Sequence, residues 1–165
     1  MNGACIVAAN AVALEETRLL MSRRSRELAG HFPSFFLRMA AEAVRERAVP
    51  VPEEALYYSS AGRGGIFSSL WRAGEFFRSG LCVDIKKIPI RQETIEILEY
   101  FDIDPYYGAS ADSFLAVLAD PESYLARLKA AGIPGETIGR LVPGRARTLI
   151  LGDRVRYLDR PAKDF

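Results

Sequence analysis

Ala55-Leu56-Tyr57-Tyr58-Ser59-Ser60, followed after Ala61 by Gly62-Arg63-Gly64-Gly65-Ile66-Phe67, is the stretch on which the fold turns. Its first six residues read as a short strand. From Ile66 the apolar residues recur at helical spacing, with Ile66, Leu70, Gly74 and Phe77 on one face. The chain therefore runs from strand through a glycine loop into a helix. Such a junction leaves several N–H groups unpaired, and the helix dipole reinforces them, so the loop is suited to an anion. Glycine lets a phosphate approach the backbone closely. A plain tight turn reads equally from the same residues, because glycine is the default wherever backbone must turn sharply.

Outward from this junction the chain alternates. Residues 3–9 read as a strand, and a helix follows from Leu14 to Ala29 with Leu14, Thr17, Met21 and Leu28 on one face, stopped by Gly30. A second helix starts at Pro33, with Phe36, Ala40, Ala43 and Val44 inward. Val49-Pro50-Val51-Pro52 is a rigid connector that no helix crosses. After the glycine loop and its helix come a strand at Leu81–Ile85, an extended connector at Lys86–Ile90, and a helix from Arg91 to Phe101 facing inward with Ile95, Leu98 and Phe101. Ser113–Leu118 has the length of a buried strand. Asp120-Pro121-Glu122 is a clear helix start, and that helix runs to about Ala131 before Gly132. Thr137–Val142 is a strand, and Gly152-Asp153 joins two more, Arg147–Leu151 and Arg154–Leu158, as a hairpin. This order predicts one α/β (α+β) domain over residues 1–158, a mixed sheet covered by helices, with a polar tail at 159–165.

A 165-residue chain that is 49% hydrophobic and 26% charged can bury one real core. A formal net charge of +1 gives no electrostatic case for nucleic acid or an anionic membrane. No apolar run approaches the ~20 residues of a membrane span, and the first residues lack the basic region of a signal peptide. Cys5 and Cys82 read as reduced thiols in strands, which points to the cytoplasm. No catalytic or metal constellation stands out. The single histidine, His31, has no ligand partners at metal spacing. Asp102 and Asp104 read as helix-end and turn residues, and Arg23, Arg24 and Arg26 as a solvated face. The residues left as candidates for an anion are Gly62, Arg63, Gly64 and Gly65, joined by Lys86 and Lys87 in the connector.

Three strings carry a family resemblance: Gly64-Gly65-Ile66-Phe67-Ser68-Ser69-Leu70-Trp71; Asp84-Ile85-Lys86-Lys87-Ile88-Pro89-Ile90-Arg91-Gln92-Glu93-Thr94; and Ala130-Ala131-Gly132-Ile133-Pro134 with Ile138-Gly139-Arg140. Leu14-Glu15-Glu16-Thr17 adds a fourth. Together they resemble the C-terminal domain of the aminoimidazole ribonucleotide (AIR) synthetase superfamily, and most of all its hydrogenase-maturation-factor-like members. The resemblance implies a layered α/β/α domain, distantly ferredoxin-like. It also implies an ATP-binding domain ahead of this one, to which nothing here corresponds, so that ATP and magnesium would enter only if a partner completes the site.

The departures from the family pattern point the same way. In the family's Asp-x-Thr-x-Gly-Gly loop this chain has Ser60 and Gly62 at the Asp and Thr positions. In a second loop Ser110-Ala111-Asp112 puts a carboxylate where glycine is usual, which would repel a phosphate. The cysteine that ends the maturation factor is missing, since the sequence closes Arg160-Pro161-Ala162-Lys163-Asp164-Phe165. The expectation is a non-catalytic domain that binds a partner or a small anionic or nucleotide ligand. The alternative is one half of a split ATP-dependent enzyme. As partners the reading offers a homodimer or a separate ATP-binding protein, with Tyr57, Tyr58, Trp71, Phe76, Phe77, Tyr106 and Tyr107 as exposed aromatic surface near the loop.

Overall fold

In a computed structural model, residues 3–162 of the chain are described. In chain order the elements are β1 (Cys5–Ala9), α1 (Leu14–Arg23), α2 (Ser25–His31), α3 (Ser34–Ala43), β2 (Tyr57–Gly62), α4 (Gly65–Phe77), β3 (Gly80–Asp84), α5 (Gln92–Tyr100), β4 (Ser110–Leu118), α6 (Glu122–Ala130), β5 (Gly135–Val142), β6 (Arg147–Leu151) and β7 (Arg154–Tyr157). The strands form one mixed sheet in the order β2-β4-β1-β5-β3-β6-β7. All neighbours are antiparallel except β3 and β6, whose parallel register sets Val83 beside Leu149.

The alternation of side chains along each strand decides what lies on each face. Ile6 and Ala8 of β1, Leu115 and Val117 of β4, Leu81 and Val83 of β3, and Leu149 of β6 point one way. They meet Ile66, Phe67, Leu70 and Ala73 of α4, all essentially inaccessible to water. Each such aliphatic or aromatic side chain contributes about 1.5–3 kcal/mol of burial. Val7 and Ala9, with Ala116 and Leu118, point the other way onto Tyr124 and Leu128 of α6. The layers are therefore α4, sheet, α6. A helical lobe of α1, α2, α3 and α5 closes around Ala13, Leu28, Ala40, Ile97 and Leu98.

Four local expectations are revised. The helix expected over Leu14–Ala29 breaks at Arg24 (φ −119°, ψ 32°) and restarts at Ser25, which brings Leu28 into the lobe core. The Arg24 guanidinium caps the ring of Phe101 at 5.0 Å. The buried face of α5 is Thr94, Ile97 and Leu98 rather than Ile95 with Phe101, because Thr94 meets Thr17 at 3.3 Å. The connector after β3 begins with a 3-10 turn, Ile85–Lys87, started by the Asp84 carboxylate accepting the Lys86 N–H at 3.0 Å. Finally, β2 is shifted two residues on, to Tyr57–Gly62, and β4 is longer than expected, so that they pair as far as Gly62 opposite Ser110.

Candidate functional site

The glycine loop lies where β2 leaves the sheet edge and α4 begins. Gly62 (φ +72°) has open space around it, so its backbone conformation alone requires glycine there. Gly65 (φ +77°) is constrained twice. A Cβ on it would stand 2.6 Å from the Tyr106 carbonyl oxygen and 2.8 Å from Tyr107 Cα. The segment 104–108 thus sits directly on the start of α4. The Phe67 N–H, one of the donors free at a helix start, donates to the Tyr106 carbonyl at 3.1 Å. Phe67 and Tyr106 stack with centroids 5.0 Å apart, and Arg156 of β7 lies 5.6 Å from the Phe67 ring.

Ser60 and the second loop are joined, since the Ser60 hydroxyl donates to the Ala111 carbonyl at 2.7 Å. The second loop has its own donors occupied. Ala109 N–H donates to Glu16 at 3.2 Å and Ala111 N–H to Glu15 at 2.9 Å, while the Ser110 hydroxyl accepts the Ala13 N–H at 2.7 Å. These are the first-turn carboxylates of α1, so Leu14-Glu15-Glu16-Thr17 closes this loop upon itself. Asp112 is neutralised by Arg18 at 2.8 Å, and the same guanidinium donates to the Val44 carbonyl at 2.6 Å. The carboxylate read from sequence as an obstacle to phosphate is therefore one half of a partly buried ion pair.

The structure gathers Gly62, Gly64 and Gly65 with the 104–112 segment and leaves Arg63 exposed beside them; among the described residues it has no ion-pair partner. Lys86 and Lys87 are elsewhere. They follow β3, four strands from β2 in the sheet, on the order of 19 Å at ~4.8 Å per strand step. The Lys86 ammonium lies near Gly152, and Lys87 borders a cavity of about 310 Å³ with Cys5, Cys82 and Arg140. Connector and loop are thus separate features. The carboxylates of Glu15 and Glu16, and Arg156, were not legible as loop neighbours, because each comes from a distant part of the chain.

Burial pushes the phenols of Tyr106 and Tyr107 above the ordinary tyrosine value; Asp104 adds to the first, and Asp159 to the second against Arg156. Burial does the same to Tyr58 and Tyr124, which face each other on the α6 side. Part of the aromatic surface expected near the loop is self-satisfied, while Phe76 and Tyr107 stay exposed. Tyr58 stacks on Phe114, Tyr57 packs on Phe76 and Phe77, and Trp71 lies under the Arg147 guanidinium at 4.4 Å. His31 stacks on Tyr100, and the Asp104 carboxylate accepts the Tyr106 N–H in a turn. Among the described residues no group of three or more His, Cys, Asp or Glu is placed to hold a metal, and no helix is long and apolar enough to cross a membrane.

No family model matches the sequence, and no curated protein does. Solved structures match the fold. The hydrogenase maturation protein HypE of E. coli superposes with a TM-score of 0.74 at 19% identity, over 99% of this chain and 51% of HypE. The HypE–HypF complex gives 0.75 at 17% identity, over 98% of this chain and 54% of that one. Thiamine-monophosphate kinase from Stenotrophomonas maltophilia gives 0.62 at 17% identity, over 92% and 51%. The chain spans about half the length of these structures. The fold is therefore one that HypE and thiamine-monophosphate kinase share over about half of their own length.

Proposed function

We propose that residues 1–158 form one domain that is not catalytic by itself and acts by binding: a protein partner first, and at Gly62–Gly65 a small anionic or nucleotide ligand held weakly. One observation carries this reading. Backbone donors bordering the loop are turned inward, Phe67 N–H to Tyr106 and, in the second loop, the amides of 109 and 111 to Glu16 and Glu15. Phosphoryl transfer needs metal ions and positioned charge around the phosphates; beside this loop, among the described residues, Arg63 is exposed without an ion-pair partner, while Arg72 is turned onto the Ser60 and Ala61 carbonyls. A neighbour described as a HypE–HypF complex makes partner binding a natural mode for the fold. The partner is a second copy or a separate ATP-binding protein, met in the cytoplasm, where Cys5 and Cys82 stay reduced.

A second reading, half of a split ATP-dependent enzyme, draws on Arg63, which is exposed at a glycine-started helix and available to a phosphate supplied in trans. Both readings expect the purified chain to lack magnesium-dependent ATP turnover, and both expect phosphate or ATP to shift the amide signals of residues 62–67 at high concentration only. Turnover by the pure protein that disappears in Arg63→Ala overturns the non-catalytic reading. Turnover that appears only when a separate ATP-binding protein is added selects the split enzyme.

A further inference from the structure

The two faces of the sheet are unequally covered. α4 spans the first, but α6 covers the second only over β4, β1 and the near side of β5. The register shows what lies beyond it. Cys82 pairs with Arg140 on one side and Thr148 on the other, Thr148 with Tyr157, and Ile150 with Val155. Paired residues share a face, and this face is opposite to that of Val83 and Leu149, which are buried under α4. Val155 is 64% exposed and Tyr157 71%. A solvated sheet face is normally polar at these alternate positions. Here Ile150, Val155, Tyr157 and the thiol of Cys82 outnumber the polar Thr148 and Asp84 on the same face, and Arg140 and Lys87 rim it around the 310 Å³ cavity. Among the described residues neither cation has an ion-pair partner.

We infer that this bare half-face, β5-β3-β6-β7, is the docking surface for a different protein that presents carboxylates around an apolar centre. The inference rests on the partner-binding reading above and places it away from the glycine loop. Contiguous apolar surface with a charged rim is the anatomy of an interface, and the sign of the rim selects the partner. A second copy fits poorly. Two such faces together would bring Arg140 and Lys87 from each copy, four cations, against the two carboxylates of Asp84 from the pair. An acidic partner satisfies both cations, and Asp84 remains available to a basic or hydroxyl group at the edge.

The test places a photo-cross-linking residue in the full chain in its native host, once as Tyr157→p-benzoylphenylalanine and once as Arg63→p-benzoylphenylalanine. The expected result is a cross-link from position 157 to another protein. The purified pair should then lose at least tenfold in affinity with Arg140→Glu and Lys87→Glu combined, and should weaken with salt. These exposed changes should leave the melting temperature of the free chain unaltered. Cys82 should also lose reactivity toward a thiol reagent in the complex. A cross-link between two copies, or an affinity indifferent to the charge reversal, overturns the inference. A cross-link from position 63 alone overturns it but leaves partner binding standing. No cross-link from either position overturns both.

Discussion

Gly62 and Gly65 look alike in the sequence and differ in what they tolerate. Gly62 needs only its left-handed backbone, so Gly62→Ala should cost about 1–2 kcal/mol. Gly65→Ala adds a collision with backbone atoms of Tyr106 and Tyr107, roughly 1–3 kcal/mol more for crowding. Thermal unfolding should separate them, since a chain of this size shifts by about 2–4 °C per kcal/mol; equal shifts would mean that the 104–108 segment yields freely. The buried phenols predict a pH dependence. Burial raises Tyr58, Tyr106, Tyr107 and Tyr124 in the folded state, so the unfolded chain ionises first, at about pH 10. Below that pH both states are neutral and nothing is lost; above it stability falls as pH rises toward the folded values. Phenolate absorbance during alkaline titration should therefore rise together with loss of helix signal. Four phenols that titrate normally in intact protein would contradict this. The sequence read position 65 as one glycine of a turn and did not show why glycine is required there, because the contact comes from residues some forty positions later.

α4 is held to β6 by a clamp that no sequence pattern announced. Arg147 lies over Trp71, pairs with Glu75 at 2.9 Å, and runs so close to Gly74 that a Cβ there would be 2.5 Å from its Nε. Helix propensity favours Gly74→Ala by about 1 kcal/mol. Displacing the guanidinium costs about 0.5–2 kcal/mol of cation–π attraction and ~1–3 kcal/mol of crowding, so the net effect should be a loss of about 0.5–4 kcal/mol. Trp71 is the single tryptophan of the chain, and its emission reports directly on whether the guanidinium has left. A stabilised variant with unchanged emission would show that Arg147 has room to move aside. Elements with local signals were legible: the Gly152-Asp153 hairpin, the Asp120-Pro121 helix start with Asp120 accepting the Glu122 N–H at 3.1 Å, and the strand–glycine–helix junction itself. The break at Arg24 was not, because packing of Leu28 decides it. The distance between Lys86–Lys87 and the loop was not either, because strand order is a property of the sheet and not of any string.

At the scale of the molecule, the strand order that separates loop from connector also puts the first strand inside the sheet, third of seven. β1 is hydrogen-bonded on one side to residues 110–118 and on the other to residues 135–142. Every side chain it buries, Val7 and Ala9 toward α6 as well as Ile6 and Ala8 toward α4, depends on chain that comes much later. During synthesis this strand leaves the ribosome without a partner. At about 5–20 residues per second it waits on the order of ten seconds for β5 to be complete. For that interval an apolar segment with both edges unpaired is open to aggregation or to a chaperone. Nascent chains arrested before Gly135 should therefore be digested by protease throughout β1, and resistance should appear in one step once Val142 has emerged. A resistant fragment containing β1 in shorter chains would mean that local contacts suffice. Of the seven strands β1 thus has the longest interval between its own synthesis and that of its last neighbour, and the cell must guard residues 5–9 for longer than any other strand of this sheet.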